Sequence, residues 1–255
     1  AGVLAASMLF TGCSKKAESK VPDKLIVGTN AEFPPFEYMN DKKQPEGFDI
    51  AMIKEIGKRM GKKVEIKNME FKSLIGAMES DSINAIIAGM TKTEKREKAV
   101  DFSDSYYTTN QAIILKKDSK ITKLAQLDGK KIGVQEGTTG DLISSGDKFG
   151  DGKKAKVLVK GAKVKRFKKG VDAVMDLKNG SVDAVVIDEL TANEFVKKNA
   201  KKLKIVIDSA GSEYYCIALT KGNTAYKEEV NKQIKAIKED GTYDKLKAKY
   251  IDSKN

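Results

Sequence analysis

The sequence predicts an α/β protein in which mostly parallel sheets are flanked by helices. Short apolar strands alternate with amphipathic helices along the 255 residues, and this alternation favours parallel strands joined by right-handed crossovers. One unit of helix, polar turn and buried strand also occurs twice, as FKSLIGAMESDSINAIIAGMT and as GVDAVMDLKNGSVDAVVIDEL. Overlaying the copies puts Gly89 and Asp188 at the same end of a buried strand, where open α/β sheets bind ligands. Two halves of the chain are therefore expected to line a common cleft.

The elements of the first half follow in a regular order. KLIVGTN is an apolar strand that runs into a proline-rich turn, AEFPPFEYMNDKKQPEG. A helix opens at GFDIAM, because Ile50, Ile53, Ile56 and Met60 recur at helical spacing and Asp49 stands at the end that favours an acid. KVEIKNME returns as a strand before the first copy of the repeated unit.

The second half continues the alternation. QAIIL is a strand, SKITKLAQLDGKK a short helix and turn, and KIGVQEG a strand that ends in a Gly-Thr loop. Such a loop offers backbone N–H and hydroxyl donors to an anion, but an ordinary helix cap by Thr138 or Thr139 has the same sequence, so both interpretations stay open. After the second copy, KKLKIVIDSAGSEYYCIALTKG predicts two strands, and two helices broken at EDGTY follow.

Composition excludes several classes of function. The chain carries 48 Lys and Arg against 36 Asp and Glu, a net charge of +12, and its 40% of apolar residues suit a globular protein. It has no histidine, which removes Ser-His-Asp and Cys-His nucleophile systems and histidine metal ligands. The lysines are spread along the chain without spaced aromatics, which favours a solvated surface over a nucleic-acid-binding face. We expect a monomer without cofactor, metal or nucleic acid.

The first residues are typical of an export signal. Residues 1–12 form an uncharged, largely apolar run that leads into the small-residue box TGCS. Cys13 is then expected to be the lipidated first residue of the mature protein and residues 13–23 to be its tether, which implies an extracytoplasmic location at a bacterial membrane, in the periplasm or at the cell surface. The alternative is an ordinary N-terminal helix. Cys216, in YYCIAL, is expected to be a buried strand thiol.

Arginine is rare enough in this chain to mark a position. It occurs only at Arg59, Arg96 and Arg166, and Arg96 stands inside the lysine-rich stretch MTKTEKREKAVDFSDSYY. A guanidinium is a planar fork of donors that meets a carboxylate bidentately, which an ammonium cannot do. Arg96 is therefore predicted to bind a carboxylate. The alternative is a surface arginine that a lysine could replace.

Six motifs occur in the order and at roughly the spacing of a known family: IVGTNAEFPPFEY, GFDIAMIKEIGKRMG, AGMTKTEKREKAVDFSDSYY, LDGKKIGVQEGTT, VDAVVIDE and GTYDKL. From residue 24 onwards the chain resembles the family 3 extracellular solute-binding proteins of polar amino-acid ABC transporters. The resemblance implies a two-lobed, periplasmic-binding-protein-like (type II) fold, each lobe a central mostly parallel sheet flanked by helices, with two crossover strands between the lobes. The first lobe would comprise residues 24–110 and 214–255, and the second residues 111–213.

The resemblance also implies a ligand site. In the family, an arginine of the TxTxxR-like stretch grips the ligand α-carboxylate, which here falls on Arg96. An acid at the end of a strand in the second lobe holds the α-ammonium, here Asp188, for which an ordinary helix cap or strand end is the alternative. The resemblance places donors beside the ligand carboxylate at Gly89, Thr91, Thr138 and Thr139. It places rings that flank the ligand side chain at Phe33 and Phe48, and a further ligand-binding residue at Asn30. Both rings have core packing as their alternative.

One position departs from the family pattern. Members that take basic amino acids often carry an acid where this chain has Asn30. Its absence weakens the case for a cationic ligand side chain, although Glu32, Glu136 or Glu189 could replace that acid.

The function implied by the resemblance is binding without catalysis. The chain would be the extracytoplasmic subunit of an ABC importer, trapping a free amino acid, polar or basic, between closing lobes and delivering it to a membrane permease. Two alternatives stay open: an amino-acid-sensing receptor domain with the same pocket, and a dehydratase or lyase, because the same fold hosts enzymes. Hinges are expected near residues 109–111 and 209–214, where the chain crosses between lobes.

Overall fold

The computed structural model describes residues 19–146, 159–207 and 212–252. Residues 1–12, Cys13 and the tether up to residue 18 lie outside the described residues. The strands are β1 (Lys24–Thr29), β2 (Glu32–Phe33), β3 (Glu37–Met39), β4 (Pro45–Glu46), β5 (Lys63–Asn68), β6 (Ala85–Ile86), β7 (Val100–Thr109), β8 (Gln111–Lys116), β9 (Lys131–Gln135), β10 (Lys163–Phe167), β11 (Ala184–Asp188), β12 (Leu203–Ile207) and β13 (Glu213–Thr220). The helices are α1 (Phe48–Arg59), α2 (Leu74–Glu79), α3 (Glu94–Glu97), α4 (Thr139–Ser145), α5 (Gly170–Asn179), α6 (Glu189–Lys197), α7 (Thr224–Glu239) and α8 (Thr242–Tyr250).

Two five-stranded sheets form the framework. The first has the order β5-β1-β6-β13-β7 and the second the order β10-β9-β11-β8-β12, while β2, β3 and β4 make a small third sheet. In the first sheet β5, β1 and β6 are parallel, and in the second β10, β9 and β11 are parallel; the other two strands of each sheet pair antiparallel. The predicted α/β class is confirmed, with mixed sheets.

The repeated unit occupies the same place in both sheets. Its two copies are α2 with β6 and α5 with β11, and β6 and β11 each stand third in their sheet. The strands named from the sequence as KLIVGTN, KVEIKNME, QAIIL and KIGVQEG are β1, β5, β8 and β9. Because the two sheets share one strand order, equivalent strand ends of both sheets can line a single site.

The chain passes between the sheets at two points. β7 ends at Thr109 in the first sheet and β8 begins at Gln111 in the second, so a single residue, Asn110, separates them. The return runs from β12 in the second sheet to β13 in the first, where Glu213 pairs with Thr109. Both crossings therefore meet side by side.

Aromatic residues pack behind the first sheet's strand ends. The rings of Phe36, Phe48, Tyr106, Tyr107 and Tyr215 contact one another with centroid separations of 4.9–6.4 Å. This packing fixes β13 and the start of α1 against β7, and edge-to-face arrangements of this kind are favoured over face-to-face stacking. The cluster gives the neighbouring loop at Gly89 a rigid support.

Two smaller observations complete the fold. Cys216 is buried in β13, as its apolar surroundings predict. Among the helices of the described residues, none is both long and apolar enough to cross a bilayer.

Candidate functional site

A small, nearly filled cavity lies where the parallel strands of both sheets end. It is lined by Asn30, Phe33, Phe71, Ala88, Gly89, Thr91, Arg96, Gln135, Thr138, Thr139 and Asp188. Eight of the nine residues predicted from the sequence are in that set, and Phe48 is the exception. The site combines residues that follow β1 and β6 with residues that end or follow β9 and β11, so both sheets contribute to it.

Arg96 stands in α3, whose first turn is capped by the hydroxyl of Thr93. Its side chain is 9% exposed, donates to the carbonyls of Thr91 and Gly137 (Nη2 to Gly137 O, 3.0 Å), and lies 5.3 Å from the centroid of the Phe71 ring. Burial lowers the pKa of Arg96 to about 10, against the opposing effect of nearby carboxylates. Within the described part of the chain, no carboxylate is at salt-bridge distance from this guanidinium. A buried cation held only by carbonyls and a ring is suited to bind an anion.

Asp188 ends β11 and is 3% exposed. Its carboxylate accepts a hydrogen bond from the hydroxyl of Tyr215 and another from Nε2 of Gln111 at 2.6 Å. Burial, followed by the negative charge of Glu213, raises the pKa of Asp188 to about 7, while the two hydrogen bonds and Arg96 act in the opposite direction. An ammonium group placed here would favour the charged carboxylate.

The three threonine hydroxyls of the site already donate to acceptors of the protein. Thr138 donates to the carbonyl of Gln135 at 2.8 Å and accepts from the Asp141 N–H, so it is the N-cap of α4. Thr91 and Thr139 each donate to Oε2 of Glu213 at 2.7 Å. A hydroxyl has a single proton, so these side chains offer a ligand lone pairs in this arrangement. Donors to a ligand carboxylate beside Arg96 would then be backbone N–H groups.

The loop that carries Thr138 is held by a second arginine. Nε of Arg166 donates to both carboxylate oxygens of Asp141, at 3.0 and 2.9 Å, and Oδ2 of Asp141 accepts from the Gly137 N–H at 3.0 Å. The carbonyl of Gly137 faces Arg96. Through Asp141, the guanidinium of Arg166 thus helps to hold the loop that Arg96 contacts from the other sheet.

The side chain of Asn30 contacts an amide side chain and a backbone carbonyl. Nε2 of Gln135 donates to Oδ1 of Asn30 at 2.8 Å, and Nδ2 of Asn30 donates to the Met69 carbonyl at 2.8 Å. Oε1 of Gln135 is buried and has no donor among the described residues. This end of the site therefore presents dipoles without a formal charge.

The three glutamates named as substitutes for an acid have other partners. Glu32 pairs with Lys169 at 2.7 Å and Glu136 with Lys72 at 2.9 Å, while Glu189 accepts from Nδ2 of Asn110 at 3.2 Å. None of the three lines the cavity. The structure does not bring them to the position of the missing acid.

Gly89 and the two phenylalanines separate into different environments. Gly89 adopts a φ of 52°, and a Cβ there would lie 3.2 Å from the Phe33 ring, so glycine lets that ring close over the cavity. The Gly89 N–H donates to buried Asp49 at 2.8 Å. Phe48, in contrast, is fully buried in the aromatic cluster and does not line the cavity. The prediction that it flanks the ligand is corrected to core packing, because the first residue of α1 faces inward.

Several functional neighbours were not predicted. Gln135 ends the apolar strand KIGVQ just as Asp188 ends VVID, so its place in the repeated pattern could have identified it. Four more residues come to the site or its surroundings from other parts of the chain: Phe71, Gln111, Glu213 and Tyr215. The sequence around them carries no signal that distinguishes them from core or surface residues.

The arrangement suits a small zwitterion. A buried cation and a buried carboxylate line one narrow cavity, with rings and amides between and beside them. Such a site can hold a carboxylate and an ammonium on one molecule while excluding water, which strengthens both contacts.

Comparisons with known proteins show the family of this chain. The family described as Bacterial extracellular solute-binding proteins, family 3, matches residues 25–253. The chain is 34% identical over 243 residues to the arginine-binding extracellular protein ArtP of Bacillus subtilis (strain 168), covering 94% of this chain and 91% of that protein. It is 33% identical over 229 residues to ABC transporter arginine-binding protein 1 of Escherichia coli (strain K12), covering 88% and 89%.

Solved structures are similar over most of the chain. An ancestral arginine-binding protein bound to arginine superimposes with a TM-score of 0.81 and 42% identity, covering 91% of this chain and 100% of that chain. An ancestral arginine-binding protein bound to glutamine superimposes with a TM-score of 0.82 and 42% identity, covering 91% of this chain and 99% of that chain.

Proposed function

The chain belongs to the bacterial extracellular solute-binding proteins of family 3, and from that premise we propose that it binds free arginine, with glutamine as a second ligand. Its relatives are amino-acid-binding extracellular components of ABC transporters, and the chain has that function.

One observation carries the proposal: Arg96 and Asp188, both nearly fully buried, line the same cavity from different sheets. We assign the ligand α-carboxylate to Arg96 and the α-ammonium to Asp188. Gly89, Thr91, Thr138 and Thr139 would surround these two groups, and Phe33 would cover the aliphatic part of the side chain. Each charge of the zwitterion then has an opposite charge, which compensates for the loss of water.

The side-chain end supports arginine over lysine. Asn30 and Gln135 present amide groups, and Oε1 of Gln135 is a buried acceptor without a donor among the described residues. A guanidinium spreads its charge over a planar fork, is weakly hydrated and stacks on rings such as Phe33 or Phe71, so amide acceptors can satisfy it. A lysine ammonium is compact and strongly hydrated, and in this cavity it would lack a carboxylate partner. Glutamine offers the same planar donors without charge.

The organisation around the site follows from the same proposal. Residues 24–110 with 214–255 would form one lobe and residues 111–213 the other, closing on the amino acid and presenting it to a permease as a monomer without catalysis. A lipid on Cys13, which lies outside the described residues, would hold the protein at the membrane. Location outside the cytoplasm agrees with the extracellular family to which the chain belongs.

A thermal-shift screen of the full chain against the twenty amino acids tests the ligand. A ligand at 100 times its Kd adds about 2.7 kcal/mol of stability, roughly 5–10 °C in Tm for a protein of this size. Arginine and glutamine should raise Tm, lysine should raise it less, and agmatine, which is arginine without its α-carboxylate, should have little effect. A shift by lysine larger than that by arginine would contradict the ligand assignment, and no shift by any amino acid would contradict the binding function.

A further inference from the structure

We propose that Glu213 is a positioning residue that stabilises the closed conformation of the two lobes, because it accepts one hydroxyl hydrogen bond from each lobe. The inference rests on the proposed function, because it concerns how the amino-acid site is held closed. Glu213 does not line the cavity. It stands behind the cavity, at the point where the chain returns from the second sheet to the first.

The contacts are symmetric about one oxygen. Thr91, in the loop after β6 of the first sheet, donates its hydroxyl to Oε2 of Glu213 at 2.7 Å. Thr139, the first residue of α4 beside the second sheet, donates to the same Oε2 at 2.7 Å. Glu213 itself begins β13 and pairs with Thr109, the last residue before the other crossing. A single carboxylate at the hinge thus joins a loop of one lobe to a helix of the other.

A carboxylate is the side chain that this position requires. It only accepts hydrogen bonds, and each of its oxygens has room for two donors, so both hydroxyls can share one atom. Hydrogen bonds to an ionised acceptor are about twice as strong as neutral ones. If the lobes open at the crossings, Thr91 and Thr139 separate, and at least one of the two bonds is lost. The negative charge therefore favours closure by an amount that a neutral amide would reduce.

The two hydrogen bonds from Thr91 and Thr139 to Glu213, called the clasp below, are connected to the ligand-binding groups. Thr139, whose proton is committed to Glu213, accepts from Nε2 of Gln111 at 3.2 Å, and the same Nε2 donates to Asp188 at 2.6 Å. The carbonyl oxygen of Thr91 also accepts a hydrogen bond from Nη1 of Arg96. Glu213 consequently fixes the residues that hold the two proposed ligand contacts, Arg96 and Asp188, without touching the ligand.

The charge of Glu213 supplies a second readout, through Asp188. Three charged or titratable groups act on the pKa of Asp188: Glu213 as an acid, Arg96 as a cation and Tyr215 as a hydrogen-bond donor. The charge of Asp188 in turn contributes to the raised pKa of buried Glu37. Glu213 raises the pKa of Asp188, after burial as the larger cause. Removing this charge should shift the acidic limb of the arginine-binding profile to lower pH, an effect that loss of packing alone would not produce.

Calorimetry of arginine binding with matched variants tests the clasp. Glu213→Gln keeps the shape and removes the charge, and it should weaken binding about tenfold, the equivalent of one charge-assisted hydrogen bond. Thr139→Val, which removes one of the two donating hydroxyls, should weaken binding similarly. The double variant Glu213→Gln with Thr139→Val should lose little more than Glu213→Gln alone, because Glu213→Gln already weakens the contact that Thr139→Val removes. Glu46→Gln is the matched control. Glu46 does not line the cavity, and its carboxylate accepts a hydrogen bond of 3.0 Å from Nδ2 of Asn40.

Closure is measured separately by small-angle X-ray scattering of the same proteins with and without arginine. Glu213→Gln should be more open than Glu46→Gln, and its pH profile should be displaced. If the wild type binds arginine and Glu213→Gln matches it in affinity, pH profile and scattering, the clasp is refuted while the proposed function stands. If the wild type binds no amino acid, the proposed function is refuted, and the scattering comparison still decides the clasp.

Discussion

Nη2 of Arg96 donates to the carbonyl oxygen of Gly137 at 3.0 Å, and this bond joins α3 beside the first sheet to the loop before α4 beside the second. The guanidinium is buried, stands over the Phe71 ring and has carbonyl acceptors where a carboxylate would bind it more strongly. The residue proposed to receive the ligand therefore also connects the two halves of the cleft. Ligand binding and lobe closure are expected to depend on the same side chain.

Arginine binding should weaken below about pH 7. The pKa of Asp188 is raised to about 7, chiefly by burial, and only its ionised form can pair with the ligand ammonium. As pH falls through that value in the free protein the carboxylate protonates, so Kd should rise by up to about tenfold per pH unit, and binding should release a proton. Calorimetry at pH 6 in two buffers of different ionisation enthalpy measures that proton. The same affinity at pH 5.5 and pH 8 would show that Asp188 does not hold the ammonium as an ion pair.

A buried carboxyl pair should make stability fall as pH rises. Glu37 and Asp49 are both fully buried, and burial, with the neighbouring carboxylate second, raises the pKa of Glu37 well above its ordinary value. A carboxyl whose folded pKa is raised contributes stability below its unfolded pKa, and this contribution is lost at higher pH. Glu37→Gln keeps a donor for Asp49 and removes the titration. It should therefore gain stability relative to the wild type between pH 5 and pH 8, by about 1 kcal/mol or more.

Denaturant unfolding at the two pH values measures this difference. Glu65→Gln is the control, because the pKa of half-buried Glu65 is lowered by its hydrogen bond to Lys24 and it stays ionised in both conditions. A difference between Glu37→Gln and the wild type that does not change with pH would mean that Glu37 is already ionised in the folded protein.

Gly140 should tolerate no side chain. A Cβ there would lie 2.8 Å from the Val186 carbonyl oxygen and 3.0 Å from Oε1 of Gln111, the residue that donates to Asp188. Gly140→Ala should push α4 from β11, cost about 1–3 kcal/mol of stability and weaken arginine binding. Gly76→Ala is the control, because Gly76 lies exposed in α2 with nothing within 4 Å of its Cβ position, and it should stabilise by about 0.5–1 kcal/mol.

Thermal unfolding and calorimetry of both glycine variants check this prediction. Equal stability of Gly140→Ala and the wild type would mean that α4 can move away from β11 freely, and the packing argument for the second lobe's side of the site would then be wrong.

The sequence predicted the positions that follow from periodicity and from rarity. The repeated helix-strand unit placed Asp188 at a strand end that the structure brings to the cavity, and the scarcity of arginine singled out Arg96. Both signals are local, because a buried strand ends where its apolar run ends. The position of the cleft followed because equivalent strands stand third in both sheets.

Contacts between distant segments could not be predicted in this way. Glu213 reads as an ordinary polar residue before an apolar strand, and its role emerges only when Thr91 and Thr139 meet it across the crossings. Phe48 was misplaced because an aromatic ring at a helix start has core and cavity neighbours that the sequence does not distinguish. β7, ten residues long, was not predicted as a strand, because the polar run SDS at residues 103–105 interrupts its apolar residues.

The most direct test of the account is calorimetric titration of arginine into Arg96→Lys, with Arg59→Lys as the matched control. Arg96→Lys keeps the positive charge and loses the bidentate fork, and removing one partner of a desolvated pair costs about 2–5 kcal/mol, at least about thirtyfold in Kd. Arg59 pairs with Glu55 and Asp240 away from the cavity, so Arg59→Lys should bind as the wild type does. We expect the Kd of Arg96→Lys for arginine to be at least about thirtyfold larger than that of Arg59→Lys. A Kd within about threefold of the wild type would contradict the assignment of the ligand carboxylate to Arg96.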